Sequence, residues 1–304
     1  MGIAEAVLIT VITAATPLLI AALGELVVER AGVLNLGLEG MMAVGAACGF
    51  GVAVMSGSSA WGVLAGVGAG MALATVFAIL VLGLAANQVA SGLALTILGL
   101  GLSGLIGAGF VGTGRAAIAP LFIPGLSELP FVGRLLFGQD PFVYGSVALA
   151  GGILWFLSRS RAGLTLRCVG ENHVAAHALG IKVLHVRFAA ILFGGACAGL
   201  AGAYLSLVYT PFWSPGMTAG RGWIALALVV FASWKPLRVL FGAYLFGGAT
   251  VLQLHAQAAS LGLPSQLMSA FPYLATIVAL VVMSIGRRTA VAPGSLATPF
   301  VPDR

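Results

Sequence analysis

The sequence contains very little charge. Only 7% of its 304 residues are Asp, Glu, Lys or Arg, and no charged residue occurs between Gly40 and Gly114. Hydrophobic residues make up 60% of the chain, and the mean hydropathy is +1.11. A soluble domain has roughly 25% charged residues. This composition therefore excludes a soluble domain and predicts a membrane protein. The net charge of +6 does not indicate nucleic-acid binding, because the basic residues are confined to loop ends, where lipid headgroups account for them.

Three further absences narrow the function. The three cysteines, Cys48, Cys168 and Cys197, have no metal-binding or disulfide-type spacing, so they are predicted to be small packing residues. The chain has no GxxxxGK[ST] phosphate loop, so we expect it to bind no ATP and to hold no cofactor of its own. The first apolar run starts at Gly2 without a basic segment or a convincing cleavage site, which favours a retained membrane helix over a signal peptide.

Long uncharged runs predict an all-α polytopic membrane protein with about nine spans, within a range of eight to ten. The predicted spans are 4–24, 36–56, 60–82, 86–110, 141–158, 188–209, 219–234, 237–256 and 268–286. Between them, Ser158–Arg187 holds five of the fourteen Lys and Arg residues. Basic loops stay on the cytoplasmic side of a membrane. This interval is therefore predicted to be cytoplasmic, which places the N-terminus outside and the C-terminus inside.

Two segments predict an internal repeat. Residues 29–48 and 216–233 each follow a full span and open with a glycine-rich turn. They lie in two halves, roughly 1–110 and 188–286, which have opposite orientations in this topology. Inverted repeats with glycine-interrupted segments are typical of transporters whose path lies at the repeat interface. We therefore expect a single transmembrane domain over 1–286, with a cytoplasmic loop at 158–187 and a cytoplasmic tail at 287–304.

Three ordered motifs resemble a known family: ELVVERAGVLNLGLEGMMAVGA, RAGLTLRCVGENHVAAHALGI and GRGWIALALVVFASWKPL. Together they are similar to the permease subunit of bacterial ABC importers for branched-chain amino acids, simple sugars and nucleosides, closest to the nucleoside or simple-sugar branch. The resemblance implies a multi-pass subunit of the bacterial inner membrane that is not an enzyme. It also implies a separate ATPase that binds ATP and Mg²⁺, a second permease of identical or sister sequence, and an extracytoplasmic binding protein. The outer loops 111–139 and 210–221 would either receive that binding protein or only place aromatic and proline residues at the level of the lipid headgroups.

The resemblance further implies a cytoplasmic coupling helix that docks into the ATPase. The matching residues are Gly170, Glu171, Asn172, Ala175, Ala176 and Gly180. Asn172 suits a helix N-cap, Gly180 suits the position after a helix end, and the alanines would let a partner approach closely. The alternative is a loop that only connects two spans. His173 and His177 have a spacing that can hold zinc, but no HExxH glutamate lies between them, so docking is favoured over metal binding.

Polar residues in the apolar runs are candidates for the translocation path. Glu39 is an ionisable residue between glycines. In one interpretation Asn35 and Glu39 orient a broken helix or line the path, and in the other Glu39 caps local N–H groups near the inner interface. The other candidates are Asn87, Gln88, Ser91, Thr96 and Gln253, for which hydrogen bonding between helices is the favoured alternative. Gly62, Gly66 and Gly70 recur every four residues and indicate close helix packing.

Other functional classes fit less well. An ion-coupled secondary transporter is an alternative because it shares inverted repeats, but such proteins usually need intramembrane carboxylates, and the charge-free interval leaves only Glu39 for that purpose. A membrane protease would need a nucleophile with its base or a pair of acids, and no such set is evident. A passive channel would be expected to carry a repeated filter motif, which is absent.

Overall fold

The computed structural model describes residues 3–121, 124, 125, 127, 132–258, the isolated positions 270, 274, 277, 278 and 281, and 292–301. Regular structure in these residues is helical, apart from one antiparallel bridge between Gly114 and Phe212. The helices are α1 (Ile3–Arg30), α2 (Leu38–Ser56), α3 (Ser59–Ala78), α4 (Gln88–Gly107), α5 (Val132–Phe137), α6 (Pro141–Arg159), α7 (Arg161–Glu171), α8 (His173–Ala178), α9 (Val183–Tyr204), α10 (Arg221–Phe231) and α11 (Pro236–Ala258).

Seven helices in the described part of the chain are long and apolar enough to cross a membrane. They are α1, α2, α4, α6, α11, and α3 and α9 with the π-helical turns Ile79–Gly83 and Leu205–Tyr209 that extend them. They agree with seven of the nine predicted spans, so the chain is an all-helical, multi-pass membrane protein. The predicted span 268–286 lies almost entirely outside the described residues.

The predicted span 219–234 differs from the structure. Only the 11 residues Arg221–Phe231 form α10, about 16 Å of helix at 1.5 Å per residue, which is too short for a bilayer. Pro211 and Pro215 precede it, and the backbone is left-handed at Gly216 and Gly220 (φ 70° and 79°). Proline lacks an amide donor and glycine tolerates positive φ, so residues 210–220 form a non-helical approach to a short helix.

The centre of the bundle is a close crossing of α2, α3 and α9. A Cβ added at Gly70 would collide with the carbonyl oxygen of Gly195, and one at Gly199 would collide with that of Gly66. At Gly45 an added Cβ would lie 2.6 Å from the Cα of Gly199. Small residues let helix backbones approach where lipid provides no hydrophobic driving force. The predicted packing role of the α3 glycines is therefore confirmed.

Two sets of contacts define opposite ends of the bundle. At the first, which we call the α8 end, Arg30 donates to the carbonyl of Trp234 (3.1 and 2.8 Å) and the backbone of Gly170 lies against that of Arg30. At the other, which we call the Arg115 end, Arg115 donates to the carbonyls of Ala53 and Gly57. The end of α1, the α7–α8 region and the turn after α10 therefore lie together, on the side opposite the end of α2.

Candidate functional site

The chain breaks between α1 and α2, and the side chain of Asn35 organises the break. Its Oδ1 accepts from the backbone amide of Gly37 (3.0 Å), and the backbone N–H of Asn35 donates to the carboxylate of Glu25 (3.2 Å). Asn35 is 0% exposed. A buried amide side chain that pairs with nearby backbone groups replaces the helical hydrogen bonds that the break removes. Asn35 therefore orients the start of α2, one of the roles expected for it.

Glu39 joins this break to the one before α10. Its carboxylate accepts from the hydroxyl of Thr218 (2.6 Å) and from the amides of Gly220 (2.9 Å) and Gly222 (2.6 Å). Gly220 is the N-cap of α10. A carboxylate at a helix N-terminus meets unpaired N–H groups and the positive end of the helix dipole. Glu39 is 4% exposed. It therefore caps a helix, as one interpretation expected, but that helix, α10, is remote in sequence.

The polar residues at the start of α4 also form contacts within the chain. The side chain of Asn87 accepts from the amide of Ala90 (3.0 Å) and caps α4. Gln88 Oε1 accepts from the amide of Leu34 (2.8 Å), and Thr96 Oγ1 donates to the carbonyl of Leu36 (2.8 Å). These two bonds tie α4 to the broken segment before α2. They fit the favoured alternative of hydrogen bonding between elements.

The last two path candidates are on different helices. Ser91 is nearly buried on α4, at 9% exposure. Gln253 is half-buried near the end of α11, away from the breaks. The seven path candidates therefore do not form one polar surface. Those near the breaks make hydrogen bonds that stabilise the broken segments.

Two buried acids were missed by sequence reasoning. Glu25 and Glu29 on α1 are both 0% exposed. Glu25 receives the amide of Asn35, and Glu29 Oε2 accepts from the indole N–H of Trp234 (2.5 Å). Their i, i+4 spacing inside an apolar run places both on one helix face, which is the signal that would have identified them. Glu29 stabilises the turn after α10, and Glu39 stabilises the start of α10.

A cavity of about 290 Å³ opens beside the second break. It lies between α2, α4 and the non-helical approach to α10, and its polar lining includes the hydroxyls of Ser103 and Thr218. Thr218 also donates to Glu39, so the cavity touches the junction of the two breaks. Neither lining residue was among the path candidates. The sequence could not place Thr218 beside α4, because the position of 215–218 depends on tertiary packing.

The α7–α8 region has the local geometry expected of it. Asn172 caps α8 by accepting from the amide of Ala175 (2.9 Å), and Gly180 follows the helix with φ 81°. Both predictions about the helix ends are confirmed. The element itself is shorter than expected, however, because α8 covers only His173–Ala178, and Gly170 and Glu171 end α7.

The exposed face of α8 differs from the expectation that both alanines would face a partner. Ala176 is 2% exposed and packs inward, whereas Ala175 is on the exposed side. Val174 and Leu179 are 64% and 82% exposed. The outward apolar surface thus includes Val174, Ala175 and Leu179, and it is this surface that a partner could cover. An exposed apolar patch on a short, capped element is typical of a protein–protein contact.

The two histidines of α8 contact the C-terminal tail. The ring centroids of His173 and His177 lie 5.2 and 5.3 Å from that of Phe300. Burial, followed by the nearby guanidinium of Arg187, lowers the pKa of His173 from its usual 6.5. The Arg187 guanidinium, which can only donate, lies 3.2 Å from His173 Nδ1. That nitrogen is therefore an acceptor and His173 is neutral. Among the described residues no group of three His, Cys, Asp or Glu side chains is arranged to hold a metal.

The chain matches the family described as the branched-chain amino acid transport system / permease component, over residues 7–285. It belongs to this family. The match covers both breaks, the cavity and α7–α8, and it ends before the tail segment 292–301.

Curated relatives extend over nearly the whole chain. TsgC13 of Haloferax volcanii, provisionally named a glucose ABC transporter permease protein, is 44% identical over 92% of this chain and 92% of its own length. The guanosine ABC transporter permease protein NupQ of Bacillus subtilis is 33% identical, covering 94% and 93%. The nucleoside ABC transporter permease protein NupC of Lactococcus lactis is 31% identical, covering 95% and 94%. No solved structure matches the chain.

The family settles the functional class. The chain is the permease subunit of an ABC importer, as the three motifs indicated, and not an ion-coupled secondary transporter. Because family members are transport components and not ATPases, the prediction that this chain is not an enzyme is confirmed. Membership implies an ATPase and a substrate-binding partner.

Proposed function

We propose that this chain forms half of the membrane path of an importer for a nucleoside or a simple sugar. The observation that carries the proposal is the full-length similarity to one permease named for glucose and two named for nucleosides. These solutes share a sugar ring with several hydroxyl groups, which needs hydrogen-bonding partners during passage. The second permease would be an identical or sister chain in the cytoplasmic membrane of a prokaryote.

The path is proposed to run beside the junction of the two breaks. The cavity at this junction offers the hydroxyls of Ser103 and Thr218 in an otherwise apolar wall. Discontinuous helices near the middle of the membrane are where transporters place their binding sites. In this arrangement the conformation of the two breaks is stabilised by Glu39, Asn35 and Gln88. The cavity wall contacts the solute.

The α8 end is proposed to face the cytoplasm. That end carries Arg30, Lys235 and the basic loop 158–187, and basic segments are retained inside. The N-terminus would then lie outside, with nine crossings if α10 and its non-helical approach together cross once. The ATPase would dock on Val174, Ala175 and Leu179, with Glu171 and Asn172 at the rim, and its ATP-driven closure would rock the helices between outward and inward states.

Uptake into proteoliposomes tests the substrate class. The permease, its co-purifying ATPase and its binding protein would be reconstituted and supplied with ATP and radiolabelled glucose, guanosine or leucine. We expect ATP-dependent accumulation of glucose or guanosine and none of leucine. Accumulation of leucine alone would overturn the proposal in favour of a branched-chain amino acid importer. A Ser103→Ala variant, which removes a lining hydroxyl without adding volume, should raise KM for the transported solute.

A further inference from the structure

The C-terminal tail segment, residues 292–301, lies against the inner side of α7 and α8. The amide of Ser295 donates to the carbonyl of Gly170 (2.8 Å), and Ser295 Oγ accepts from the amide of His173 (3.0 Å). These bonds engage the last turn of α7 and the first residue of α8. A Cβ at Gly294 would lie 2.6 Å from the carbonyl oxygen of Glu171. The tail therefore fits closely along the joint between the two helices.

Arg187 connects the tail to the membrane helices. It lies in the second turn of α9 and is 0% exposed. Its Nε donates to the carbonyl of Ala31 (3.2 Å), just after α1, and its Nη1 donates to the carbonyl of Thr298 (3.0 Å). Its Nη2 lies 3.2 Å from His173 Nδ1 and 3.4 Å from the carbonyl of Ser295. One buried side chain thus contacts α8, the tail and the end of α1 while belonging to α9.

Phe300 fills the space beneath α8. It is 7% exposed and packs with Val169, Ala176 and Val183, which come from α7, α8 and α9. The rings of His173 and His177 meet Phe300 at 64°. The buried face of α8 is therefore completed by the tail, while the opposite face, with Val174 and Leu179, stays open.

A six-residue helix has little stability of its own, because helix nucleation is costly and short helices depend on tertiary packing. Without the tail, α8 would keep its Asn172 cap but lose the cover over Ala176 and the bond from the His173 amide. A partner that pushed on α8 would then displace α8 alone, because fewer contacts would carry the motion to α1 and α9.

We propose that residues 292–301 are a latch that fastens α8 to α1 and α9, so that movement of the ATPase passes to the membrane helices. Arg187, Ser295 and Phe300 act as positioning residues for this coupling. The inference rests on the proposed docking of the ATPase on α8. The latch lies outside the family match over 7–285, so it is a feature that family membership does not itself supply.

The test compares transport with ATP hydrolysis in the permease–ATPase complex, reconstituted in proteoliposomes with its binding protein. We expect Phe300→Ala, and a chain that stops after residue 291, to retain the ATPase on purification. The number of solute molecules imported per ATP hydrolysed should fall at least about fivefold, the low end of coupling between distant sites. Phe300→Leu, which still covers Ala176, should restore most of the ratio. Val301→Ala, at an exposed neighbouring residue (41%), should match the wild type.

A second measurement keeps the test decisive if a truncated chain folds poorly. Hydrogen exchange of the peptide that covers α8 should speed up in Ser295→Ala and Phe300→Ala, with peptides from α2 and α3 unchanged. If both the number of solute molecules imported per ATP and the hydrogen exchange of α8 are unchanged in these variants, the latch proposal is wrong. Loss of the ATPase from the tail variants would also overturn it, because the tail would then be part of the docking surface. Leu179→Glu tests docking separately: if it retains the ATPase, the proposed docking surface is wrong.

Discussion

Glu39 is a single side chain that holds two broken segments of the membrane domain in place. It lies in the first turn of α2 and caps α10, which is far away in sequence. Its two carboxylate oxygens accept from three donors, one hydroxyl and two amides. A buried carboxylate here is stable because hydrogen bonds to a charged acceptor are strong and a helix N-terminus favours negative charge.

We expect Glu39→Ala to destabilise the permease by about 2–4 kcal/mol, because two amides and a hydroxyl would lose their buried acceptor. Glu39→Gln should cost less, since its amide oxygen still accepts. Thermal unfolding of the purified protein in detergent measures both. Glu171→Gln, at an exposed acid, is the control and should leave the melting temperature unchanged. An equal melting temperature for Glu39→Ala and the wild type would contradict the capping role.

The environment of His173 predicts that the packing of the tail segment on α8 depends on pH. Its pKa is lowered by burial and then by Arg187, so the folded state binds fewer protons than the unfolded state over the interval below the usual value of 6.5. Stability from this group is therefore complete above about pH 6.5 and is lost as pH falls through the lowered pKa. The charged or titratable groups facing it are Arg187 from α9 and His177 on α8, while the tail contributes the uncharged Phe300 and Ser295.

Hydrogen exchange of the 292–301 peptide, corrected for intrinsic rates, should show faster opening at about pH 5 than at about pH 7.5. His173→Gln should flatten this dependence because the titrating group is gone. His177→Gln is the matched control, since that ring contacts Phe300 but its contacts do not include Arg187, and the pH dependence should persist. A wild-type tail that opens equally at both pH values would contradict the assignment.

At the scale of the elements, glycine spacing decides how closely α3 and α9 can pack. Gly68 and Gly70 lie two residues apart on α3 and look alike in the sequence. A Cβ at Gly68 has nothing within 4 Å, whereas one at Gly70 would collide with the backbone of Gly195 and lie 2.7 Å from that of Gly199. Backbone cannot move aside as a flexible side chain can, so only the second position requires glycine.

Gly70→Ala should therefore destabilise the bundle by about 1–3 kcal/mol or more, the usual cost of overpacking, and lower the amount of monodisperse protein in detergent. Gly68→Ala should be neutral or slightly stabilising, since alanine is the better helix former. Thermal unfolding of the two variants side by side makes the comparison. Equal stability for both would show that α3 and α9 are not in close contact in the membrane.

At the scale of the whole molecule, the contacts place α8, the end of α1 and the turn after α10 on one side. Cys168 is exposed in α7 on that side, Cys197 is buried in α9, and Cys48 is half-buried in the membrane helix α2. The native cysteines therefore report the orientation of the permease. A membrane-impermeant maleimide should label the chain in inside-out vesicles and leave it unlabelled in right-side-out vesicles.

Cys168→Ser should abolish this labelling, which identifies the reacting residue, while Cys48→Ser should leave it unchanged. Labelling of Cys168 in right-side-out vesicles would reverse the proposed topology. It would also contradict ATPase docking on α8, since the ATPase needs cytoplasmic ATP. The experiment is best done with the permease expressed without its ATPase, so that docking does not cover α7.

The sequence alone determined the class of molecule and most of its helices, because long apolar runs and short basic loops depend on local composition and on the bilayer. Seven spans, the capping roles of Asn172 and Gly180, and the family motifs all followed from residues close together in the chain. The tertiary structure alone decided what the polar residues do. Glu39 meets Gly220, Glu29 meets Trp234, and Phe300 covers Ala176 only after distant segments pack, and no local pattern encodes those pairs.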